Sequence, residues 1–146
     1  MNTPTETRIE KDSMGELAVP ADALYGAQTQ RAVNNFPMSG QAMPEAFIRS
    51  LITVKKAAAQ ANVSLGTLNQ DIGHAIGKAC DQLLSDKQLM VHFPVDVFQT
   101  GSGTSTNMNA NEVIANLASQ QSSKAIHPND HVNYGQSSND IIPTTI

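Results

Sequence analysis

The sequence predicts a mainly α-helical fold with one short β-hairpin near the N-terminus. Two observations predict the helices: apolar residues recur at alternating steps of four and three after Pro44, and again between about Asn69 and Ser85. The hairpin is predicted by a weak apolar and polar alternation on either side of Ser13-Met14-Gly15. Because only a short connection at Gly66 separates the two helices, they are expected to pack antiparallel as scaffold.

Composition narrows the class of protein. The chain has 146 residues, of which 40% are hydrophobic, enough for one domain with a core. Nine basic and 13 acidic residues give a net charge of −4, and no cluster of Lys or Arg suggests a nucleic-acid binder. The N-terminus lacks a signal-peptide pattern, and no apolar run approaches the ~20 residues of a membrane helix. We therefore expect a cytoplasmic protein that binds neither nucleic acid nor membrane.

The helical elements are predicted in order along the chain. A first helix is expected from Ala23 to Val33, ending near Asn34-Asn35. The helix after Pro44 is expected to bury one stripe of apolar residues, with Lys55, Lys56 and Gln60 off that stripe. The stripe consists of Phe47, Leu51, Val54, Ala58, Ala61 and Leu65.

The next helix is expected to bury a comparable line of apolar residues: Ile72, Ile76, Ala79 and Leu83. Cys80, the single cysteine, fits this helix as a small core residue and offers no disulfide or thiolate metal site. His74 lies off the apolar line and is expected to be solvated or partly buried, and we assign no role to His92.

A stretch rich in glycine, hydroxyl and asparagine residues, Gln99 to Glu112, leads into a further predicted helix. A loop of this kind before a helix start can hold an anion through unpaired backbone N–H groups. The helix is expected to pack through Ala110, Val113, Ile114, Leu117 and Ala118. Four asparagines within ten residues are unfavourable in a helix, which indicates either a functional site or plain capping and solvent-facing residues.

A second polar segment runs from Ile126 to Asp140. His127 and His131 are four residues apart, but Pro128 and the following Asn-Asp pair favour a turn over a metal-binding helix. A helix is expected to start near Asp140, since Pro143 is tolerated only in a first turn. That helix has no C-cap before the chain stops, so we expect the protein to be truncated.

These two segments resemble the class II (iron-independent) fumarases of the fumarase/aspartase superfamily. The resemblance is carried by the motifs Gln99-Thr100-Gly101-Ser102-Gly103-Thr104, Asn107-Met108-Asn109, Asn111-Glu112-Val113, His127-Pro128-Asn129-Asp130 and Gln136-Ser137-Ser138-Asn139-Asp140. Segments 8–15 and 25–31 are similar too, so nearly the whole chain is covered. Aspartases typically carry Gly-Gly-Ala-Gly-Thr and Ser-Thr-Asn at the corresponding positions, which favours fumarase. Gly135 departs from the family, which often has Ser there.

The resemblance implies reversible hydration of fumarate to L-malate. It implies substrate contacts from two loops, formed by Ser102, Gly103, Thr104, Ser137, Ser138 and Asn139, with Thr100, Asn107 and Asn111 in support. It implies a second, non-catalytic dicarboxylate site at His127, Pro128, Asn129 and Asp130. No catalytic acid or base falls within these residues, and neither loop holds the Lys or Arg that a dianionic substrate should require.

The resemblance also implies domains and partners. Residues 1–139 would form an N-terminal lyase domain and residues 140–146 would begin a central helix-bundle domain, cut short. The full-length protein would be a homotetramer acting on fumarate and L-malate, without a metal or other cofactor, and the isolated segment would be inactive. Two alternatives stay open: an aspartate ammonia-lyase-type enzyme of the superfamily, or a non-catalytic module for dicarboxylate binding or assembly.

Overall fold

The computed structural model describes residues 6–35, 40–96, 103–136 and 138–145. One antiparallel hairpin precedes the helices, and two single turns of 3-10 and π type, Leu89–His92 and Pro128–Val132, lie between them. The elements are β1 (Thr7–Asp12), β2 (Gly15–Pro20), α1 (Ala27–Asn35), α2 (Glu45–Ser64), α3 (Gln70–Ser85), α4 (Thr104–Ser122) and α5 (Ser138–Thr145). The mainly α fold with an N-terminal hairpin is therefore confirmed. No helix in the described ranges is long and apolar enough to cross a membrane.

The hairpin turns at the predicted position, because Asp12 pairs with Gly15 across a two-residue turn. The Arg31 guanidinium of α1 donates two hydrogen bonds to the Asp12 carboxylate, at 2.8 and 2.9 Å, and one to the Gly15 carbonyl at 3.1 Å. The hydrogen bond from Arg31 is the main reason that the pKa of Asp12 lies below its ordinary value. The same contacts tie the hairpin to α1.

Helix α1 begins at Ala27, so the predicted start at Ala23 was wrong by four residues. The preceding segment is held in another conformation by Arg8, whose guanidinium donates to the carbonyls of Pro20 and Tyr25, each at 2.7 Å. An arginine more than ten residues upstream therefore holds the segment before α1, an effect that local propensity does not register.

Helices α2 and α3 have nearly the predicted bounds, but the buried face of α2 differs from the predicted stripe. The buried residues of α2 are Ile48, Leu51, Ile52, Lys55 and Ala59. Of the predicted stripe, Ala61 is exposed and Leu65 is 74% exposed. The prediction that Lys55 lies off the buried stripe was wrong, since this residue is 0% exposed. The buried face of α2 is therefore rotated around the helix axis from the predicted one. It includes Lys55, which hydrogen-bonds to polar side chains inside the protein.

Helix α3 confirms three predictions about its residues. Cys80 is a core residue with no exposed surface, and burial raises the pKa of its thiol to about 12. His74 is exposed, as expected. The helix begins near Asn69, whose side chain caps it by accepting a hydrogen bond from the backbone N–H of Asp71 at 2.8 Å.

Helix α4 lies at the centre of the fold. Its predicted packing face is confirmed, since Ala110, Val113, Ile114, Leu117 and Ala118 are all buried. It contacts α1, α2, α3, α5 and the π turn. Because helices surround it on several sides, three of its four asparagines are also buried.

Helix α5 starts at Ser138, two residues before the predicted start at Asp140. Pro143 is its sixth residue, so the expectation that this proline falls within the first turn was wrong. Ser138 and Asn139 therefore belong to the first turn of α5 and not to the loop before it.

Candidate functional site

The first polar loop meets α4 at Gly103, which adopts the left-handed conformation with φ +82°. A Cβ atom at this position would lie 3.1 Å from side-chain atoms of Ile142 in α5, so conformation and space both favour glycine. Of the predicted binding residues, Gly103 and Thr104 are described here. Thr100 and Ser102 lie outside the described residues.

The same close contact brings the N-terminus of α4 close to α5, the helix that contains two of the predicted substrate-binding residues. Gly103 precedes α4, and Ile142 lies one turn beyond Ser138 in α5. Ser138 and Asn139, in the first turn of α5, are thereby placed near the N-terminus of α4. Ser137 lies outside the described residues.

Three of the four asparagines of α4 are buried and Asn116 is half-buried, so the interpretation of Asn109 and Asn111 as solvent-facing is wrong. Asn107, Asn109 and Asn111 are each at most 1% exposed. The Asn109 amide donates to the His92 carbonyl at 2.9 Å, and the Asn111 amide approaches the Met108 sulfur at 3.7 Å. Within the described part of the chain, the Oδ1 atoms of Asn109 and Asn111 accept no hydrogen bond. Such groups cost stability, which is typical of residues kept for a reason other than folding.

A partly buried polar cluster connects α2, α4 and the turn before α5. The Lys55 ammonium group donates to Gln136 Oε1 at 2.7 Å and to Asn133 Oδ1 at 3.1 Å. The amide of Asn107, a predicted supporting residue, donates to the same Asn133 oxygen at 3.3 Å. Burial lowers the pKa of Lys55 from 10.5 to about 7. We refer to these four residues as the Lys55 cluster.

Sequence reasoning missed the Lys55 cluster, although one signal was present. Lys55 follows Ile48 by seven residues and Leu51 by four, which is the spacing of a single helical face. A lysine in that position either extends to solvent or is buried with partners. Its acceptors, Asn133 and Gln136, lie about eighty residues away in sequence, so the pairing could not be predicted from spacing.

The predicted second dicarboxylate site forms a tight turn. The backbone N–H groups of Asn129 and Asp130 donate to His127 Nδ1, at 3.1 and 3.2 Å, and the His127 N–H donates to His131 Nδ1 at 2.8 Å. In the neutral rings the proton is therefore on Nε2 of both histidines. The predicted turn is confirmed, and it leaves the His127 Nε2–H available to donate to an anion.

This turn lines a cleft of about 440 Å³. His127, Pro128 and Asn129 form one wall, the hairpin turn and the start of α1 form the others, and Glu112 and Asn116 of α4 lie at its base; Asp130 is not among the lining residues. The cleft contains three carboxylates, each with a partner. Glu10 pairs with Arg8 at 2.8 Å, Asp12 pairs with Arg31 at 2.8 Å, and Glu112 caps α1.

The cleft and the N-terminus of α4 are separate places. Thr104 and Glu112 are eight residues apart on one helix, which corresponds to about 12 Å along its axis. Of the described residues, Gly103, Thr104, Ser138 and Asn139 lie at the N-termini of α4 and α5, whereas His127, Pro128 and Asn129 line the cleft.

Comparison with known proteins identifies the family. Residues 15–146 match the model of a protein family described as lyases. The chain is 70% identical to "Fumarate hydratase class II 2" of Pseudomonas aeruginosa over 97% of its own length and 31% of that protein. It is 58% identical to the class II fumarate hydratase of Halobacterium salinarum, covering 95% of this chain and 30% of that protein.

Solved structures support the same assignment. A recombinant class II fumarase from Schistosoma mansoni matches with a TM-score of 0.91 and 44% identity, covering 96% of this chain and 31% of that one. A fumarate lyase:delta crystallin from Brucella melitensis matches with a TM-score of 0.89 and 51% identity, covering 96% and 34%. The chain thus spans about a third of the length of the relatives it matches. It belongs to the lyase family, and the predicted resemblance to class II fumarate hydratases is confirmed.

Proposed function

We propose that the chain is a segment of a class II fumarate hydratase, which adds water reversibly across the double bond of fumarate to form L-malate. The observation that carries the proposal is the 70% identity over 97% of the chain to a fumarate hydratase. The longer enzyme, called the full-length protein below, would be a cytoplasmic homotetramer. Residues 1–139 would be its N-terminal lyase domain, and residues 140–146 would begin its central helical domain.

Within this enzyme, the segment would bind substrate and leave the proton transfers to residues elsewhere. Ser102, Gly103 and Thr104 would hold one carboxylate at the N-terminus of α4, where the backbone N–H groups and the helix dipole favour an anion. Residues 137–139 would contact the substrate from the adjoining α5. The left-handed Gly103 and the proximity of Ile142 support this arrangement, because they bring the N-terminus of α4 close to α5.

Hydration of fumarate needs a base that removes a proton next to a carboxylate, and donors that stabilise the resulting dianion. Hydroxyl and amide groups such as those of Thr104 and Asn139 can serve as donors. Neither is a suitable base near neutral pH. This division of roles predicts that the 146-residue chain alone has no turnover.

The cleft would be a second dicarboxylate site. Its carboxylates already have partners, so the His127 Nε2–H and the Lys11 ammonium group are left to meet an anion. Such a site would bind without reaction, since no step of hydration is assigned to it.

Activity assays test the proposal. The full-length protein should consume fumarate, which is measured as a loss of the ultraviolet absorbance of the conjugated dicarboxylate. It should not release ammonia from aspartate. The purified 146-residue chain should do neither. Ammonia release from aspartate without fumarate hydration would contradict the proposed reaction. Fumarate turnover by the isolated chain would contradict the assignment of the acid and base to other residues.

A further inference from the structure

We propose that Lys55 is a positioning residue for substrate binding: its buried ammonium group fixes Asn133 and Gln136, and thereby the chain immediately ahead of residues 137–139. The inference rests on the proposed function, because it concerns the same substrate site. It assigns a role to a lysine that lies in neither polar loop.

The contacts of Lys55 join three elements. Its side chain crosses from α2 to the turn before α5, where it donates to Gln136 at 2.7 Å and to Asn133 at 3.1 Å. The Asn107 amide of α4 donates to the same Asn133 oxygen. Lys55 is 0% exposed and its two acceptors are half-buried, so these hydrogen bonds lie partly out of solvent, where they are stronger than in water.

The two acceptors also close the turn on itself. The Gln136 amide donates to the Val132 carbonyl at 2.8 Å, and the Asn133 amide approaches the Gln136 carbonyl at 3.4 Å. Each side chain therefore uses its donor inside the turn and its acceptor on Lys55. Since Gln136 directly precedes Ser137, a shift of this turn would displace the substrate-binding residues that follow.

Packing alone does not account for a lysine here. Among the described carboxylates, none lies within ion-pair distance of Lys55, and the facing groups are the amides of Asn133 and Gln136 and the thiol of Cys80 on α3. A buried ammonium group without a counter-ion is costly, and an apolar side chain of similar length would fill the space.

The test uses the full-length protein with two neighbouring substitutions. Lys55→Met should raise the KM for fumarate at least about tenfold, with a smaller change in kcat, because the binding residues are displaced. Lys56→Met is the matched control: this adjacent lysine is 31% exposed and pairs with Asp81 on the surface. It should leave both constants within about twofold.

A second control separates positioning from stability. Ile52→Val removes one methylene from the same buried face without touching the turn, so it should lower the melting temperature and leave KM unchanged. Gln136→Leu removes the Gln136 acceptor while keeping Lys55 and Asn133. It should raise KM even if Lys55→Met does not fold. The effects of Lys55→Met and Gln136→Leu on KM should be less than additive.

An unchanged KM in both Lys55→Met and Gln136→Leu would overturn the inference. A KM increase in Lys55→Met no larger than that in Ile52→Val, at an equal melting temperature, would overturn it too. Failure of the unmodified full-length protein to hydrate fumarate is a different result. It would overturn the proposed function itself, before any variant is compared.

Discussion

The Glu112 carboxylate accepts hydrogen bonds from both the backbone N–H and the hydroxyl of Thr29, at 2.8 and 2.6 Å. Its other oxygen accepts from the Gln28 N–H at 3.1 Å. A carboxylate from α4 thus caps the N-terminus of α1, where unpaired N–H groups and the helix dipole favour negative charge. Gly26 makes room for it, since a Cβ atom there would lie 2.7 Å from a Glu112 oxygen. Two segments far apart in sequence, the start of α1 and the middle of α4, are therefore joined directly by hydrogen bonds.

Replacing this carboxylate should destabilise the chain. Glu112→Gln turns one acceptor into a donor that faces a backbone N–H, so we expect a loss of about 1–3 kcal/mol in the free energy of unfolding. Glu45→Gln is the control, since Glu45 forms an exposed pair with Arg49 at 2.8 Å and should lose at most about 0.5 kcal/mol. Urea unfolding measures both. Equal losses would mean that the cap contributes nothing specific.

Three glycine substitutions separate conformational strain from steric contact. Gly66 and Gly103 both have positive φ, but only at the second would an added Cβ atom meet neighbouring side-chain atoms. Gly66→Ala should cost about 1 kcal/mol, and Gly103→Ala should cost more because Ile142 must move. Gly77→Ala, inside α3 with open space around it, should be neutral or slightly stabilising. Chemical unfolding should give this order of losses in the free energy of unfolding. A loss in Gly103→Ala no larger than that in Gly66→Ala would contradict the close contact between α4 and α5.

The hairpin and the helices were predictable because their signals are local. Alternation around Ser13-Met14-Gly15 and apolar periodicity after Pro44 need no knowledge of distant residues. The start of α1 was not predictable, because Arg8 and Glu112 fix it from other parts of the chain. Apolar periodicity also predicted the wrong buried face for α2. Apolar residues lie on more than one face of this helix, and the face that is buried includes a lysine.

The candidate site divides in the same way. The residue types of the first polar segment indicated an anion-binding loop or plain capping, and only the family resemblance implied a dicarboxylate substrate and a second site. The burial of Asn107, Asn109 and Asn111 could not be predicted, because it depends on helices that pack around α4. The burial of Lys55 could not be predicted either, because its hydrogen-bond acceptors, Asn133 and Gln136, are distant in sequence and meet it only in the folded chain.

The stability of the chain should depend on the protonation of Lys55. Its folded-state pKa is about 7, below the ordinary value of 10.5, so the unfolded chain binds more protons between these values. The cost of the buried charge is fully present below about pH 7 and is relieved as the pH rises towards 10.5. The free energy of unfolding should therefore rise between pH 7 and 10 more in the unmodified chain than in Lys55→Met. Parallel pH profiles from urea titrations would refute this.

The thiol of Cys80 should be unreactive in the folded chain. It is 0% exposed, and its pKa is raised to about 12, mainly by burial, so little thiolate forms near neutral pH. A disulfide reagent should label it slowly in buffer and rapidly in urea. Ser85→Cys, combined with Cys80→Ala, is the exposed control and should react at once in both conditions. Rapid labelling of Cys80 without denaturant would contradict its place in the core.

The most direct test of the account is the KM for fumarate of the full-length protein carrying Ser102→Ala and Thr104→Ala. The loss of two donors to a substrate carboxylate should raise KM at least about tenfold, because each hydrogen bond to a charged group contributes to binding. Thr53→Ala is the control, since this exposed threonine of α2 donates its hydrogen bond to the Arg49 carbonyl of its own helix. A kcat/KM equal to that of the unmodified enzyme would contradict the claim that this segment binds the substrate.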